Sequence, residues 1–219
     1  MKKKAIIISV RGYKLTKKEC LLLSKENPWG LILFKRNIKS INQIKVLIKK
    51  IRKLSKDNYF PILIDEEGGS VSRLINLFNH NNSANYFGKL YAINNKLGAQ
   101  IYKTYISSLC KNLRNIGINI NTIPVLDILR KDTSKVIGSR SFSNKSEIVK
   151  KLGKITVNQC HSQKIISVIK HIPGHGCAKT DSHFEMPKVS LGKNELNKND
   201  FYPFKGNPAK LAMTAHILF

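Results

Sequence analysis

Short continuous apolar runs alternate along this chain with stretches in which apolar residues return every three or four positions. The runs Ala5–Val10, Leu31–Phe34, Pro61–Asp65, Ile118–Asp127, Ile165–Lys170 and Leu211–Leu218 have the length and composition of strands,. The first of them is expected to be buried. Between them lie helical signals. Thr16-Lys-Lys-Glu19 and Ser40-Ile-Asn-Gln43 both read as capping boxes, in which a hydroxyl and a side chain three residues on exchange bonds with each other's backbone,. The first box opens a helix to about Lys25. After the second, Ile44, Leu47, Ile48, Ile51 and Leu54 fall on one helical face, with lysines between them,. Further helices are expected over about Asn94–Asn115 and Glu147–His161.

Strands without internal polar alternation, separated by helices, make an α/β protein with a parallel sheet covered by helices. Two closures fit, an open doubly wound sheet and a (β/α)8 TIM barrel. Polar residues gather just after the strands, at Asp65-Glu66-Glu67, Asp127 and Lys170-His171. Both folds bind ligands at that C-terminal edge of the sheet. No G-x-G-x-x-G follows the first strand and no G-x-x-x-x-G-K-[ST] occurs, which favours the barrel over a nucleotide fold,. The 219 residues suit one domain, with no low-complexity linker or short repeat,.

Composition changes this picture little. The hydrophobic fraction is 42%, and no apolar run approaches the roughly 18 residues of a membrane helix. Met1-Lys-Lys-Lys before Ala5 mimics a signal peptide. Its apolar part ends at Arg11 and no small-residue cleavage site follows, so a first strand is expected there,. The net charge of +26 suggests a polyanionic partner,. Its lysines, however, are spread along the whole chain, and aromatics are not interleaved with basic clusters as a single-strand-binding surface requires. Nucleic acid is therefore not the expected partner. The four cysteines form no C-x-x-C pair. Free thiols in a reducing, cytoplasmic compartment are expected.

Three segments carry candidate chemistry. In Lys170-His-Ile-Pro-Gly-His-Gly-Cys-Ala-Lys-Thr-Asp-Ser-His183, Pro173 stops a strand, and Gly174 and Gly176 let the backbone turn around His175,. Asp181 stands two residues before His183, where a loop carboxylate can hold one ring nitrogen and set the tautomer of the other. The same ligand types would also suit a metal, through His171, His175, Asp181 and His183, or the segment is a plain surface loop. The second segment, Asp65-Glu66-Glu67-Gly-Gly69 with Arg73, sets three acids side by side, so at least one needs a partner; such strand ends also bind Mg²⁺ or cap helices,. The third, Val136-Ile-Gly-Ser-Arg140, offers a guanidinium fork in a Gly/Ser turn, or a surface arginine,.

In this order, the segments resemble the NagZ-type β-N-acetylhexosaminidases of glycoside hydrolase family 3. Gly30-Leu-Ile-Leu-Phe-Lys-Arg-Asn37 is similar to that family's "G-x-I-L-F-x-R-N", and Ile64–Gly69 with Arg73 to "D-Q-E-G-G-R-V-x-R". Pro124-Val-Leu-Asp127 resembles "P-V-x-D", and Ile137–Phe142 resembles "I-G-D-R-S-F". Lys170–His183 resembles "K-H-F-P-G-H-G-D-T…D-S-H", and Met213-Thr-Ala-His216 resembles "M-T-A-H". The likeness covers nearly the whole chain. It implies a (β/α)8 barrel that removes terminal N-acetylglucosamine with retention. His183 would then be the acid/base and Asp181 the residue orienting it, while Asp65, Arg73, Arg140, Lys170 and His171 would hold the sugar. No cofactor and no metal is implied. The implied partner is a small carbohydrate, an N-acetylglucosaminyl-anhydromuramyl fragment met in cell-wall recycling.

The sequence also departs from the pattern. Glu66 stands for a Gln, Ser70 for an Arg, and Ser139 for the Asp before Arg140, which is expected to loosen that arginine. Retention needs a second carboxylate near the anomeric carbon. The family's "S-D-D-L-x-M" segment, which supplies it, is not in the sequence, so no nucleophile is expected within the chain. About six of the eight strand–helix units of a closed barrel are expected, in one incomplete domain over 1–219, with a complementing C-terminal chain as a possible partner.

Overall fold

The computed structural model describes residues 2–131, 133–178 and 186–218. Among these residues six strands occur in chain order: β1 (Lys4–Ile8), β2 (Pro28–Leu33), β3 (Ile62–Ile64), β4 (Ile120–Asn121), β5 (Ile166–Ile172) and β6 (Leu211–Thr214). All pair in parallel, and the spatial order repeats the sequence order from β1 to β6. A doubly wound sheet reverses its strand order at a switch point. No reversal occurs here, so the winding is that of a barrel, present as a curled partial barrel.

The helices are α1 (Lys17–Lys25), α2 (Ile41–Ser55), α3 (Ala84–Ile93), α4 (Asn95–Ile116), α5 (Ser146–Ser162) and the short α6 (Lys193–Lys198). Thr16 closes a complete capping box with Glu19. At α2 the box is half formed. Ser40 accepts from the Gln43 amide, but the Gln43 side chain reaches one residue further, to the Lys39 N–H at 2.8 Å. The face read for α2 is the one it buries, with Ile44, Leu47, Ile48 and Ile51 inside.

Strand alternation divides the core. Leu31, Leu33, Ile62 and Ile64 point outward against the helices, joining Ile48 of α2, Leu113 of α4 and Leu152 of α5. Leu63, Ile120 and Val168 point to the concave side and pack with Trp29, Ile32, Leu211 and Met213. Burial on both faces is why these strands read as unbroken apolar runs.

Three expectations need correction. β1 is not buried: Ile6 is 52% and Ile7 45% exposed, because the strand stands at a sheet edge with only β2 beside it. The run Ile118–Asp127 contributes a ladder of only two residues. Pro124 has no N–H to give, and the chain beyond β4 touches β5 by isolated bonds such as Leu126 N–H to the Lys170 carbonyl at 2.7 Å. Its apolar character reflects burial rather than sheet pairing. The last run leaves the sheet after Thr214, and Leu218 bridges to Lys188 instead.

Candidate functional site

The C-terminal ends of β3, β4 and β5 bring charged side chains onto one edge of the sheet. Asp65, Glu66 and Glu67 follow β3 directly, and each meets a different set of partners. Glu66 turns inward and is fully buried. It accepts from the Arg73 N–H at 2.7 Å, the Leu74 N–H at 2.9 Å and the Ser72 hydroxyl at 2.5 Å. Its own backbone N–H and carbonyl are gripped by the Asn121 amide of β4. Glu66 thus builds the loop that carries Arg73. Gly68 (φ 89°) and Gly69 (φ 58°) make the tight turn in that loop, in a backbone region that side chains other than glycine rarely enter,.

Asp65 accepts from the Thr122 hydroxyl just beyond β4, from the Lys170 ammonium at 3.3 Å and from the Arg73 guanidinium at 3.4 Å. Glu67 takes the Arg140 guanidinium as a fork, Nε at 2.7 Å and Nη2 at 2.8 Å, and the Lys170 ammonium at 2.6 Å. Lys170, on β5, is 2% exposed, and its three donors reach Thr122, Asp65 and Glu67. Burial disfavours ionisation of Asp65 and Glu67, but Lys170 and the other cations and donors outweigh it and hold both carboxyls below their usual range,. For Arg140, burial favours the neutral form; the Glu67 bonds and charge outweigh it and raise the pKa. The loosening expected from Ser139 does not appear in the geometry, since Glu67 grips the arginine with both oxygens.

A second cluster lies alongside. Asp127 is fully buried and accepts from His171 Nδ1 at 2.6 Å, the His171 N–H at 3.3 Å and the His175 N–H at 2.6 Å. Burial opposes its ionisation, and the His171 bond and charge, with the two backbone donors, prevail and lower its pKa. With Nδ1 bound to a carboxylate, the Nε2 atom of His171 is left for other contacts. His175 turns inward; burial lowers its pKa and favours the neutral ring, with Asp127 opposing.

Asp65, Glu67, Arg73, Arg140, Lys170 and His171 line one open cleft of about 470 Å³, together with Met213 of β6 and His216 just beyond it. All five positions named as sugar-holding therefore come together. His183 and Asp181 lie outside the described residues. The described segment before them is held by the Thr133 hydroxyl on the Gly176 carbonyl at 2.6 Å and the Ser134 N–H on the Ala178 carbonyl at 3.0 Å. Among the described residues no three His, Cys, Asp or Glu side chains cluster as metal ligands, and no helix is long and apolar enough to cross a membrane.

The motifs left three contributors without a role. Glu67 was one of three acids with no means of ranking them. Thr122 is an isolated threonine. Asp127 was legible as a strand-end carboxylate, but its pairing with His171, 44 residues away, is a tertiary fact.

Comparison with known proteins agrees with this fold. Residues 2–219 match the glycosyl hydrolase family 3 N terminal domain. Beta-hexosaminidase A of Pseudoalteromonas piscicida is 34% identical over 90% of this chain and 34% of its own length. The beta-hexosaminidase of Neisseria gonorrhoeae is 31% identical over 98% of this chain and 60% of its own. The crystal structure of NagZ from Neisseria gonorrhoeae, in complex with N-trifluoroacetyl-D-glucosamine, superposes with a TM-score of 0.93 at 28% identity, covering 99% of this chain and 64% of that one. A family 3 beta-N-acetylglucosaminidase from Paenibacillus gives a TM-score of 0.88 at 28% identity, over 97% and 40%. The chain thus spans from about a third to under two thirds of the length of these relatives. By sequence match and by fold, it belongs to glycosyl hydrolase family 3, through the N-terminal domain of that family.

Proposed function

We propose that the cleft holds a terminal β-linked N-acetylglucosamine, as part of a retaining β-N-acetylhexosaminidase that acts on N-acetylglucosaminyl-anhydromuramyl fragments in cytoplasmic cell-wall recycling. The observation that carries this reading is the convergence of Asp65, Arg73, Arg140, Lys170 and His171 on one open cleft. Sugar hydroxyls and an acetamide need charged acceptors and forked donors fixed in advance. Arg73 and Arg140 keep N–H groups beyond those already bonded, Asp65 keeps lone pairs, and His171 keeps Nε2. In this reading His183 gives a proton to the departing glycosidic oxygen and later takes one from the water that attacks the glycosyl-enzyme, and Asp181 orients its ring.

Retention also requires a carboxylate that attacks the anomeric carbon. Asp65 and Glu67, the carboxylates lining the cleft, are both engaged by cations and are poor candidates. We assign that role to a segment outside these residues, supplied in the same polypeptide or by a complementing chain. The test is release of p-nitrophenol from its β-N-acetylglucosaminide at neutral pH, with and without the C-terminal part of a relative. Turnover that appears on complementation and is lost in His183→Ala supports the reading; no turnover in any combination removes hydrolysis. Binding without hydrolysis is the second reading, favoured by that same engagement of both carboxylates. Calorimetry with N-acetylglucosamine decides it, since a folded chain that binds no sugar excludes both.

A further inference from the structure

Arg140 and Lys170 reach the cleft from positions far apart in the chain and meet at one carboxylate. Arg140 ends a 3-10 turn, Gly138–Arg140, that belongs to no sheet. Lys170 lies on β5. The Arg140 side chain has one further anchor among the described residues, the Val136 carbonyl at 2.9 Å, four residues earlier in the segment that leads into this turn. Its tie to the sheet edge runs through Glu67. That carboxylate is only 6% exposed, and both of its oxygens are taken, Oε2 by Arg140 Nε and Oε1 by Arg140 Nη2 and Lys170 Nζ. Its own backbone is fixed by a bond from the Glu67 N–H to the Val71 carbonyl at 2.9 Å.

From this we propose that Glu67 is the positioning residue of the cleft. It does not touch the ligand. It sets the Arg140 guanidinium in one plane and one rotamer, and holds the Lys170 ammonium between itself and Asp65. Three features support this. A fork onto a carboxylate fixes direction as well as distance, which a point charge does not. Two cations this close repel each other unless an anion lies between them, and Glu67 is the group in that place. Arg73, Arg140 and Lys170 are each tied to Asp65 or Glu67, so the cations of the cleft are oriented before a ligand arrives. The longest Lys170 bond, 3.3 Å to Asp65, is the one a ligand oxygen can replace.

The proposal deepens the sugar-cleft reading, and the test separates the two. Glu67→Asp keeps the charge but draws the carboxylate back by roughly 1.5 Å, one C–C bond. It therefore cannot hold both cations in the wild-type geometry. Glu67→Gln combined with Lys170→Met keeps the charge balance while removing the fork, and stands in if the aspartate variant does not fold. Two quantities are measured on each. One is the Arg140 Nε–H resonance in a proton–nitrogen correlation spectrum, expected to be sharp and slow to exchange in the wild type and lost in either variant. The other is calorimetric affinity for N-acetylglucosamine, expected to fall about tenfold or more in Glu67→Asp, by analogy with residues that orient metal ligands from behind. Adding Arg140→Gln to Glu67→Asp should weaken binding little further, because both changes remove one interaction. An unchanged Arg140 resonance in either variant overturns the proposal, as does full additivity of the two affinity losses. If the wild type binds no sugar, the sugar reading falls, and the resonance alone decides the role of Glu67.

Discussion

Replacing Asp127 by asparagine and by alanine separates its charge from its shape. The buried carboxylate receives three bonds, from His171 Nδ1 at 2.6 Å, the His175 N–H at 2.6 Å and the His171 N–H at 3.3 Å. Asparagine keeps one carbonyl oxygen for the two backbone donors and turns an amide toward the ring. It therefore loses one charge-assisted bond, about 1.5–3 kcal/mol. In a chain of this length each kcal/mol moves the midpoint by about 2–4 °C, so Asp127→Asn should melt roughly 3–12 °C below the wild type. Alanine also orphans both backbone N–H groups, adding about 1–3 kcal/mol for each. The asparagine amide forces His171 Nδ1 to accept, so Nε2 must carry the proton, a change readable in the ring nitrogen shifts. The pH dependence has a definite sign. The folded-state pKa of Asp127 is lowered below 3.8. Its stabilisation is complete above the unfolded value and lost only as pH falls through the folded one. The gap between wild type and Asp127→Asn should be constant from neutral pH to about pH 5 and narrow only below that. The assay is thermal denaturation followed by circular dichroism across that range. A midpoint for Asp127→Asn within about 1 °C of wild type at neutral pH, or Asp127→Ala no worse than Asp127→Asn, would refute the reasoning.

Other substitutions test the supports of the cleft. Gly88→Ala puts a methyl 1.7 Å from the Phe142 carbonyl, two residues past Arg140; it should cost about 1–3 kcal/mol or more, seen in denaturant melts. Gly12→Ala, with nothing within 4 Å, should leave the midpoint unchanged. Glu66→Gln keeps an acceptor for the Arg73 and Leu74 amides and should cost about 1 kcal/mol, whereas Glu66→Ala orphans both, at about 1–3 kcal/mol each; urea unfolding of the pair distinguishes them. Tyr102→Phe removes a buried bond to the Thr156 hydroxyl at 2.8 Å and should cost about 0.5–1.5 kcal/mol, since that hydroxyl keeps its bond to the Leu152 carbonyl,.

Much of this architecture is legible in the residues themselves. Six apolar runs become six strands, and the α2 face is buried as its periodicity requires. What escaped has physical causes. Helix α3 carries Gly88 at its centre, a poor helix former placed there because Phe142 lies against it,. The strand ends mark where chemistry gathers, and they do not say which acid meets which cation. Asp65, Glu66 and Glu67 are neighbours of one residue type or its homologue, yet one faces the cleft, one folds a loop and one ties down a distant arginine. Pleat and turn decide that division, and no local pattern encodes it. The long-range pairs Glu67–Arg140 and Asp127–His171 exist only once β3, β4 and β5 lie side by side.

The Lys170 ammonium closes onto Asp65, Thr122 and Glu67, all of which precede it in the chain. On a ribosome the two carboxylates therefore emerge long before their shared cation. At about 5–20 residues per second, the wait from β3 to β5 is on the order of ten seconds. Once β4 has emerged, β1 to β4 can pair while Asp65 and Glu67 still lack the lysine that lies between them. Arrival of β5 supplies a strand and a countercharge in one event, so formation of the cleft is timed by translation rather than by the earlier strands.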